Sequence, residues 1–385
     1  MSASVLACAS RALAADPNDT QPVVGAYDPG RGFGMGSADG SYGLRVGLQA
    51  AYKAEPKFLD GKSQDRTPIL STRPVVAGWL LRPWITFLTA AELAANPPYL
   101  LYTWLDVKPW DAFGVRVGQQ DTPFSRHENF GLYRVLFPET GPVAGYFWSG
   151  RDKGVTAYGS VADRFDYYAG FYGGSPLRQY TTIAGNYVAE ARVTANPMGK
   201  MGDAEFAYAV GDTPLPTRVS FTLQGFTGKI QSATENFDPN SFQYTAMPSG
   251  ATTTQWTGGA DFFLQSSRVM FLTEGYARRT TPSDGSANYT SVGAWAQVSV
   301  LVFRRLLDVA VLGAWTDPST SLSNDRFLAG EGQVAYYVKA PALILKLRYA
   351  YADQQSPGMT ALGSVKLPGT AGTTQLITLQ VNLAF

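Results

Sequence analysis

The C-terminal segment, residues 373–385 (TTQLITLQVNLAF), alternates between apolar and polar side chains. The apolar set alternates with a mostly polar one: Ile377, Leu379, Val381, Leu383 and Phe385 against Thr378, Gln380, Asn382 and Ala384. A period of two is that of a β-strand, because successive side chains point to opposite faces of a sheet. The segment is therefore predicted to be a strand with one apolar and one polar face.

The same alternation recurs in three further segments, 41–53, 218–228 and 343–353. Charged residues such as Arg45, Arg192 and Lys346 fall in mid-strand on the polar side. A soluble β-sandwich also has alternating strands, but its core does not bury charged strand faces together with so many apolar faces that end in aromatic residues. A transmembrane β-barrel with a water-filled lumen has both kinds of face. The fold class predicted is therefore all-β, a transmembrane antiparallel β-barrel.

The composition agrees with this class. Only 16% of the residues are charged, against about 25% in an ordinary soluble domain. No stretch of about 18 apolar residues is free of charges and turn formers, so no membrane-spanning helix is predicted. A net charge of +1 argues against a nucleic-acid partner held by bulk charge. With Cys8 and His127 as the single residues of their types, neither a metal site nor a cofactor is predicted.

Short turns that contain Pro or charged residues alternate with longer polar segments, which is the pattern of short periplasmic turns and long extracellular loops. The long loops predicted are 54–69, 121–152, 173–186, 229–253, 281–288, 317–325 and 354–373. The intervening segments give sixteen strands, namely 41–53, 70–81, 86–94, 100–108, 113–120, 153–161, 165–172, 187–196, 217–228, 254–265, 268–280, 289–302, 306–316, 326–339, 343–353 and 374–385. Segment 197–216 is a long periplasmic turn in this scheme; if 205–210 forms a strand instead, the alternative is eighteen strands.

The N-terminal region is predicted to lie outside the barrel. Residues 1–14 resemble the remnant of a signal peptide, because they are small and apolar and end in Ala12, Leu13 and Ala14, although a basic start is missing. Residues 15–40 are rich in Gly and Asp and are predicted to be a periplasmic segment, and 41–385 form a single barrel domain. Export through an N-terminal signal follows from this interpretation.

Phe385 ends the last strand, and a terminal aromatic residue after alternating apolar residues resembles the signal recognised by the outer-membrane barrel-assembly machinery. This indicates an outer membrane of the Gram-negative type. The partners expected are that machinery, outer-membrane lipid and lipopolysaccharide.

Three segments resemble the phosphate-selective porin O/P family. They are 32–52 (GFGMGSADGSYGLRVGLQAAY), 114–131 (GVRVGQQDTPFSRHENFG) and 150–174 (GRDKGVTAYGSVADRFDYYAGFYGG). With the C-terminal strand the likeness covers most of 30–385, and it is weaker between 229 and 330. The resemblance implies a sixteen-stranded porin, often a homotrimer, whose third loop folds into the lumen and narrows it. Here that loop corresponds to 121–152.

Strand alternation places charges of both signs on the lumen wall. The basic ones are Arg45, Arg73, Arg116, Arg192, Arg218, Arg278, Lys346 and Arg348, and the acidic ones are Glu92, Asp106, Glu190, Asp261, Glu274, Asp308 and Glu331. These side chains either contact solute or pair with one another across strands. The wall is mixed and shows no clear ladder of basic residues.

The constriction loop, 121–152, carries further candidates: Arg126, His127, Glu128 and Arg134. Guanidinium groups there could hold a carboxylate or phosphate in a bidentate manner. The alternative is that the same residues tie the loop to the barrel wall by ion pairs.

No sequence motif of a known catalytic site is present, so the protein is not expected to be an enzyme. The function predicted is passive diffusion of small hydrophilic solutes or ions, including anions such as phosphate or carboxylates, through a loop-constricted porin. The alternative is a structural or adhesin-type barrel with a blocked lumen.

Overall fold

The computed structural model describes residues 26–28, 32–37, 39–59, 62–66, 69–95, 98–138, 142–174, 185–201, 205, 216–238, 243–303, 306–339, 342–355 and 372–385. The strands in these ranges form one antiparallel sheet. In chain order they are β1 (Ala26–Asp28), β2 (Gly32–Gly36), β3 (Tyr42–Leu59), β4 (Lys62–Arg66), β5 (Ile69–Leu80), β6 (Arg82–Glu92), β7 (Tyr99–Trp110), β8 (Phe113–Asp121), β9 (Arg151–Val161), β10 (Phe165–Tyr172), β11 (Tyr187–Ala195), β12 (Arg218–Asp238), β13 (Gln243–Gln265), β14 (Val269–Pro282), β15 (Tyr289–Phe303), β16 (Leu307–Asp317), β17 (Phe327–Lys339), β18 (Leu343–Gln354) and β19 (Gly372–Ala384).

The last strand, β19, pairs with β3 and closes the sheet into a barrel. The register runs from Thr374 opposite Leu59 to Ala384 opposite Gln49. Beyond it, Leu48 and Phe385 exchange two backbone hydrogen bonds. Closure is required in lipid, where an open edge would leave backbone donors and acceptors unpaired. The first and the last of the sixteen predicted strands, 41–53 and 374–385, are therefore neighbours in the barrel.

Sixteen strands, β3 and β5 to β19, make up the barrel, each paired with its neighbour in sequence apart from the closing pair. The sixteen-strand prediction is confirmed. The short strands β1, β2 and β4 are additions at strand ends; β2 pairs with the start of β3, with Gly36 opposite Gly43. Of the alternative strand 205–210, Glu205 is described and lies in a turn, and 206–210 lie outside the described residues. The predicted signal remnant 1–14 also lies outside them.

Burial follows the predicted alternation, but in the sense opposite to that of a soluble protein. Leu223, Leu347 and Leu379 are exposed on the outer surface, whereas Lys346 and Thr378 are buried on the inner one. An apolar exterior around a polar interior is the arrangement of a lipid-embedded barrel.

Two predicted loops contain more strand than expected. β3 continues to Leu59 within 54–69, and the β12–β13 hairpin extends through Asp238 and Gln243 within 229–253. Polar sequence does not end a strand here because backbone pairing continues past the membrane into water, where no apolar face is needed. The sequence signal therefore marks the apolar belt of the barrel and not the full length of its strands.

Two short helices, α1 (Arg126–Phe130) and α2 (Pro142–Phe147), interrupt the connection between β8 and β9. Neither helix is long enough and apolar enough to cross a membrane, and the other described residues contain no helix that is. Both belong to the segment 122–150, which is called the inner loop below.

Replacing Leu379 with Arg is expected to destabilise the barrel by about 2–4 kcal/mol, because Leu379 is exposed on the outer face in the middle of β19, where the strand should cross the centre of the bilayer. Urea titration of the protein folded into lipid vesicles measures this change. Leu93→Arg is the matched control, since exposed Leu93 follows the end of β6 and should cost about 0–1 kcal/mol. Equal costs at the two positions would contradict the proposed orientation in lipid.

Candidate functional site

The inner loop folds back into the barrel and forms an apolar core there. Phe124, Val135 and Phe147 are all almost completely buried. They belong to one cluster with inward-facing side chains of β12 to β18. The ring of Phe147 stacks on that of Tyr276 with centroids 5.1 Å apart. This packing explains why apolar residues face the interior of the barrel on this part of the wall.

Cations of the wall anchor the carbonyl groups of the inner loop. Arg278 donates to the carbonyl oxygens of Tyr146 and Phe147, at 2.9 and 2.5 Å. Lys346 donates to those of Val135 and Phe137, at 3.0 and 3.1 Å. Because donors on the wall satisfy the loop backbone, these two cations hold the loop and do not face the solution.

Further charges on the same wall pair with one another. Arg348 lies 3.2 Å from Glu331 and 3.5 Å from Glu55, and Lys53 lies 3.1 Å from Glu55. All four side chains are buried. The wall of β3 and β17 to β19 is thus a polar network in which the charges compensate one another.

A cavity of about 150 Å³ remains between the inner loop and the opposite wall, formed by β6 to β11. Its charged lining is predominantly basic, with Arg116, Arg126, Arg134, Arg192 and Lys200 against Asp121 and Asp166. Aromatic residues, Tyr102, Trp104, Phe130, Tyr158 and Tyr168, complete much of the surface. The cavity is called the passage below.

Two guanidinium groups in the passage share one carboxylate. Asp261 lies 2.8 Å from Nε of Arg126 and 3.8 Å from Nη2 of Arg192. Arg192 also donates to the carbonyl oxygen of Pro123 at 3.1 Å. Arg116, by contrast, pairs with Asp106 at 2.7 Å, a carboxylate that also accepts from the hydroxyl of Tyr158, and stacks over Trp104. The Arg126–Arg192 pair therefore keeps a surplus positive charge.

The residues predicted from sequence divide into two groups. Arg116, Arg126, Arg134 and Arg192 line the passage, whereas Arg45, Arg73, His127, Glu128, Lys346 and Arg348 are not part of its lining. Arg73 pairs with Glu92 at 2.7 Å. Phe385 lies at the closing seam and is partly exposed.

Lys200 and Glu205 were not selected from the sequence. Both lie in the connection between β11 and β12, which was predicted to be a long periplasmic turn and has no periodic pattern. Lys200 lines the passage, and its Nζ is 3.9 Å from Asp166. No signal in the sequence distinguishes either residue from an ordinary residue of a turn.

Glu205 forms a buried ion pair with His127 of α1. The Nδ1 atom of His127 lies 2.5 Å from Oε1 of Glu205, and neither side chain is exposed. Burial of the imidazole ring opposes its protonation, but the carboxylates of Glu205, Glu128 and Glu274 outweigh this and raise the pKa of His127 to about 9. His127 is therefore the cationic partner of Glu205 at neutral pH.

A closed barrel with an apolar exterior and a charged passage inside is a channel of an outer membrane. The chain belongs to the family Phosphate-selective porin O and P, whose model matches residues 87–299, more than half of the chain. The resemblance inferred from the three sequence segments is thereby confirmed. No protein with a curated description is significantly similar to the chain in sequence.

Solved outer-membrane proteins share the fold at low sequence identity. The anion-selective porin from Comamonas acidovorans superimposes with a TM-score of 0.63 at 13% identity, over 89% of this chain and 100% of that one. OmpT of Vibrio cholerae, folded in vitro, gives a TM-score of 0.62 at 14% identity, over 89% and 98% of the two chains. OprB of Pseudomonas putida gives 0.53 at 11% identity, over 89% and 94%.

Replacing Phe147 with Ala is expected to weaken docking of the inner loop by about 3–5 kcal/mol, because a fully buried aromatic side chain is lost. The barrel strands should stay folded, so limited proteolysis in detergent should cut the inner loop faster than in the wild type. Phe171→Ala is the control, since Phe171 is exposed on the outer surface. Unchanged cleavage in Phe147→Ala would show that this core does not hold the loop.

Proposed function

We propose that the protein lets small hydrophilic anions, such as carboxylates or phosphate, diffuse passively through the passage. The inner loop, within 121–152, is the constriction in this proposal. The observation that carries it is the basic lining of the passage, in which the residues that the structure describes give five cations against two acids. Counted over all inward-facing strand residues, the wall is nearly neutral. The preference arises because three of these cations do not belong to the strands: Arg126 and Arg134 come from the inner loop and Lys200 from the β11–β12 connection, and they join Arg116 and Arg192 of the wall.

The basic lining should attract anions because electrostatic interactions are strong at short range. At an effective dielectric constant of about 20, a unit charge 4 Å from an ion contributes about 4 kcal/mol before screening by salt. A guanidinium group also offers two parallel donors to a carboxylate or phosphate. Arg126, Arg134 and Arg192 are the residues proposed to contact the anion. Ion pairs with the wall limit the surplus charge, which favours weak binding and release.

The remaining features of the proposal follow from the class of protein. We propose that the channel has no catalytic activity and assembles as a homotrimer in the outer membrane, in contact with lipid and lipopolysaccharide. Phe385 is proposed to be the recognition signal for the barrel-assembly machinery, after export through an N-terminal signal. Its support is its place at the end of β19, on the strand that closes the barrel.

Arg134→Glu is expected to move the reversal potential in a salt gradient toward cation preference, because it changes the charge lining the passage by two units. Planar-bilayer recordings of the purified protein measure this. Arg134 is preferred to Arg126 because the pair of Arg126 with Asp261 also holds the inner loop. Asp261→Asn should move the potential the other way, since the carboxylate shared by Arg126 and Arg192 is lost.

Arg268→Glu is the control for this experiment. Arg268 is exposed in the turn between β13 and β14, away from the passage, so the same change in charge should leave the potential unchanged. A potential that does not respond to Arg134→Glu would contradict anion selection in the passage. A wild-type protein that inserts into the bilayer but does not conduct would favour the barrel with a blocked lumen.

A further inference from the structure

The inner loop is contacted by a residue that comes from the opposite end of the barrel. The loop leaves β8 at Asp121, whereas Glu205 belongs to the connection from β11 to β12. That connection lies at the same end as the short turn at Asp111, between β7 and β8. Glu205 is completely buried and meets the loop inside the lumen.

Glu205 makes three bonds to three different places in the inner loop. One carboxylate oxygen contacts Nδ1 of His127 at 2.5 Å, and the other accepts from the backbone N–H of Leu136 at 2.5 Å. The backbone N–H of Glu205 donates to the carbonyl oxygen of Arg134 at 2.9 Å. A single residue thereby ties α1 to the turn that follows it.

These three attachment points adjoin or include the basic residues of the loop that line the passage. His127 follows Arg126 directly, and Arg134 is itself bonded through its carbonyl group. The wall holds the same turn from the other side, because Lys346 and Gln333 donate to the carbonyl oxygens of residues 135–137. Without Glu205 the wall would still hold these carbonyls, but the bonds that Glu205 makes to α1 and to the turn would be lost.

We propose that Glu205 is a positioning residue that fixes the inner loop from the short-turn end of the barrel, and so sets the aperture and the placement of Arg126 and Arg134. Glu205 does not contact the solute, and it acts through the loop. The inference rests on the proposed role of the inner loop as the constriction.

The charges around the pair determine how it responds to pH. His127 is faced by Glu128 on its own helix, by Glu205, and by Glu274 on β14, which accepts from the backbone N–H of His127. Lys346 on β18 interacts electrostatically with Glu205, with Arg348 on its own strand and with Asp308 on β16, and Asp261 on β13 interacts in the same way with Glu274. Acidic groups therefore outnumber basic ones around the imidazolium.

The stabilisation from this pair is present when His127 is charged. Because the pKa of His127 is raised from 6.5 to about 9, the pair persists at neutral pH and is lost as the pH rises through about 9. Losing a charge-assisted hydrogen bond shifts the equilibrium between the held and the released loop by about tenfold to a hundredfold. The channel should therefore show a change in conductance level and current noise near pH 9.

The test uses Glu205→Gln, which keeps the shape and the hydrogen-bonding capacity of the side chain but removes its charge. Single-channel currents are recorded from pH 6 to pH 10. At pH 7, Glu205→Gln should show released-loop current levels at least about tenfold more often than the wild type. The transition near pH 9 should move to lower pH. His127→Gln should abolish the transition. The double variant should also lack it, and at pH 7 it should show released-loop current levels no more often than the single variants, because both residues act in one pair.

Asp111→Asn is the matched control, because it removes a carboxylate from the same end of the barrel at an exposed position paired with Lys108. It should match the wild type in every recording. Heat-modifiability on gels verifies that each variant is a folded barrel; if Glu205→Gln does not fold, His127→Gln tests the same pair.

Two results would overturn the inference: wild-type current levels and noise in Glu205→Gln, or a transition that stays near pH 9 in that variant. If either result is obtained and the wild-type channel still prefers anions, the proposed function is not contradicted. A wild-type channel without anion preference would overturn the proposed function, while the current levels and the pH transition would still report on Glu205.

Discussion

A β-sheet placed in lipid has to close, because no water is present to satisfy the backbone groups of an open edge. The pairing of β19 with β3 meets this requirement. The lipid environment also accounts for the alternation of apolar and polar residues along the strands. Each strand has to present apolar side chains to lipid and the alternate ones to the interior. The interior is then too wide for the wall side chains to fill, which makes a folded inner loop necessary for a narrow passage.

The inner loop determines which of the wall charges matter for a solute. It packs on the wall of β12 to β18, where Lys346 and Arg278 bind its carbonyl groups and Arg348 is paired with Glu55 and Glu331. On the uncovered side, the passage is lined by Arg116 and Arg192 of the wall, by Arg126 and Arg134 of the loop itself, and by Lys200 of the β11–β12 connection. The strand charges under the loop therefore form a buried structural network, and the lining of the passage is basic because it includes cations that do not belong to the strands. In the proposed function, selectivity depends on this lining and not on the total charge.

The sequence predicts the barrel because lipid imposes a period that can be recognised in single strands. The sixteen strands, the closing pair and the face of each strand residue follow from it. The same period cannot show which inward faces are covered by the inner loop. The alternation places Arg116, Lys346 and Arg348 on the inner face alike, but of these three only Arg116 lines the passage. The third loop was expected inside the lumen only from a family resemblance. Lys200 and Glu205 were missed because a turn segment has no period, and their contacts depend on tertiary structure alone.

Thiol accessibility tests the central claim, that the inner loop covers one wall and leaves the other open. In a Cys8→Ser background, Thr194→Cys lies in the lining of the passage, and Thr378→Cys lies on the inner face of β19 beside Arg348. Both threonines face the interior and are buried to a similar extent. A negatively charged methanethiosulfonate reagent should react with the cysteine at 194 and reduce the single-channel current, while the cysteine at 378 stays unmodified. Equal reaction at both positions, or reaction at 378 alone, would contradict the account.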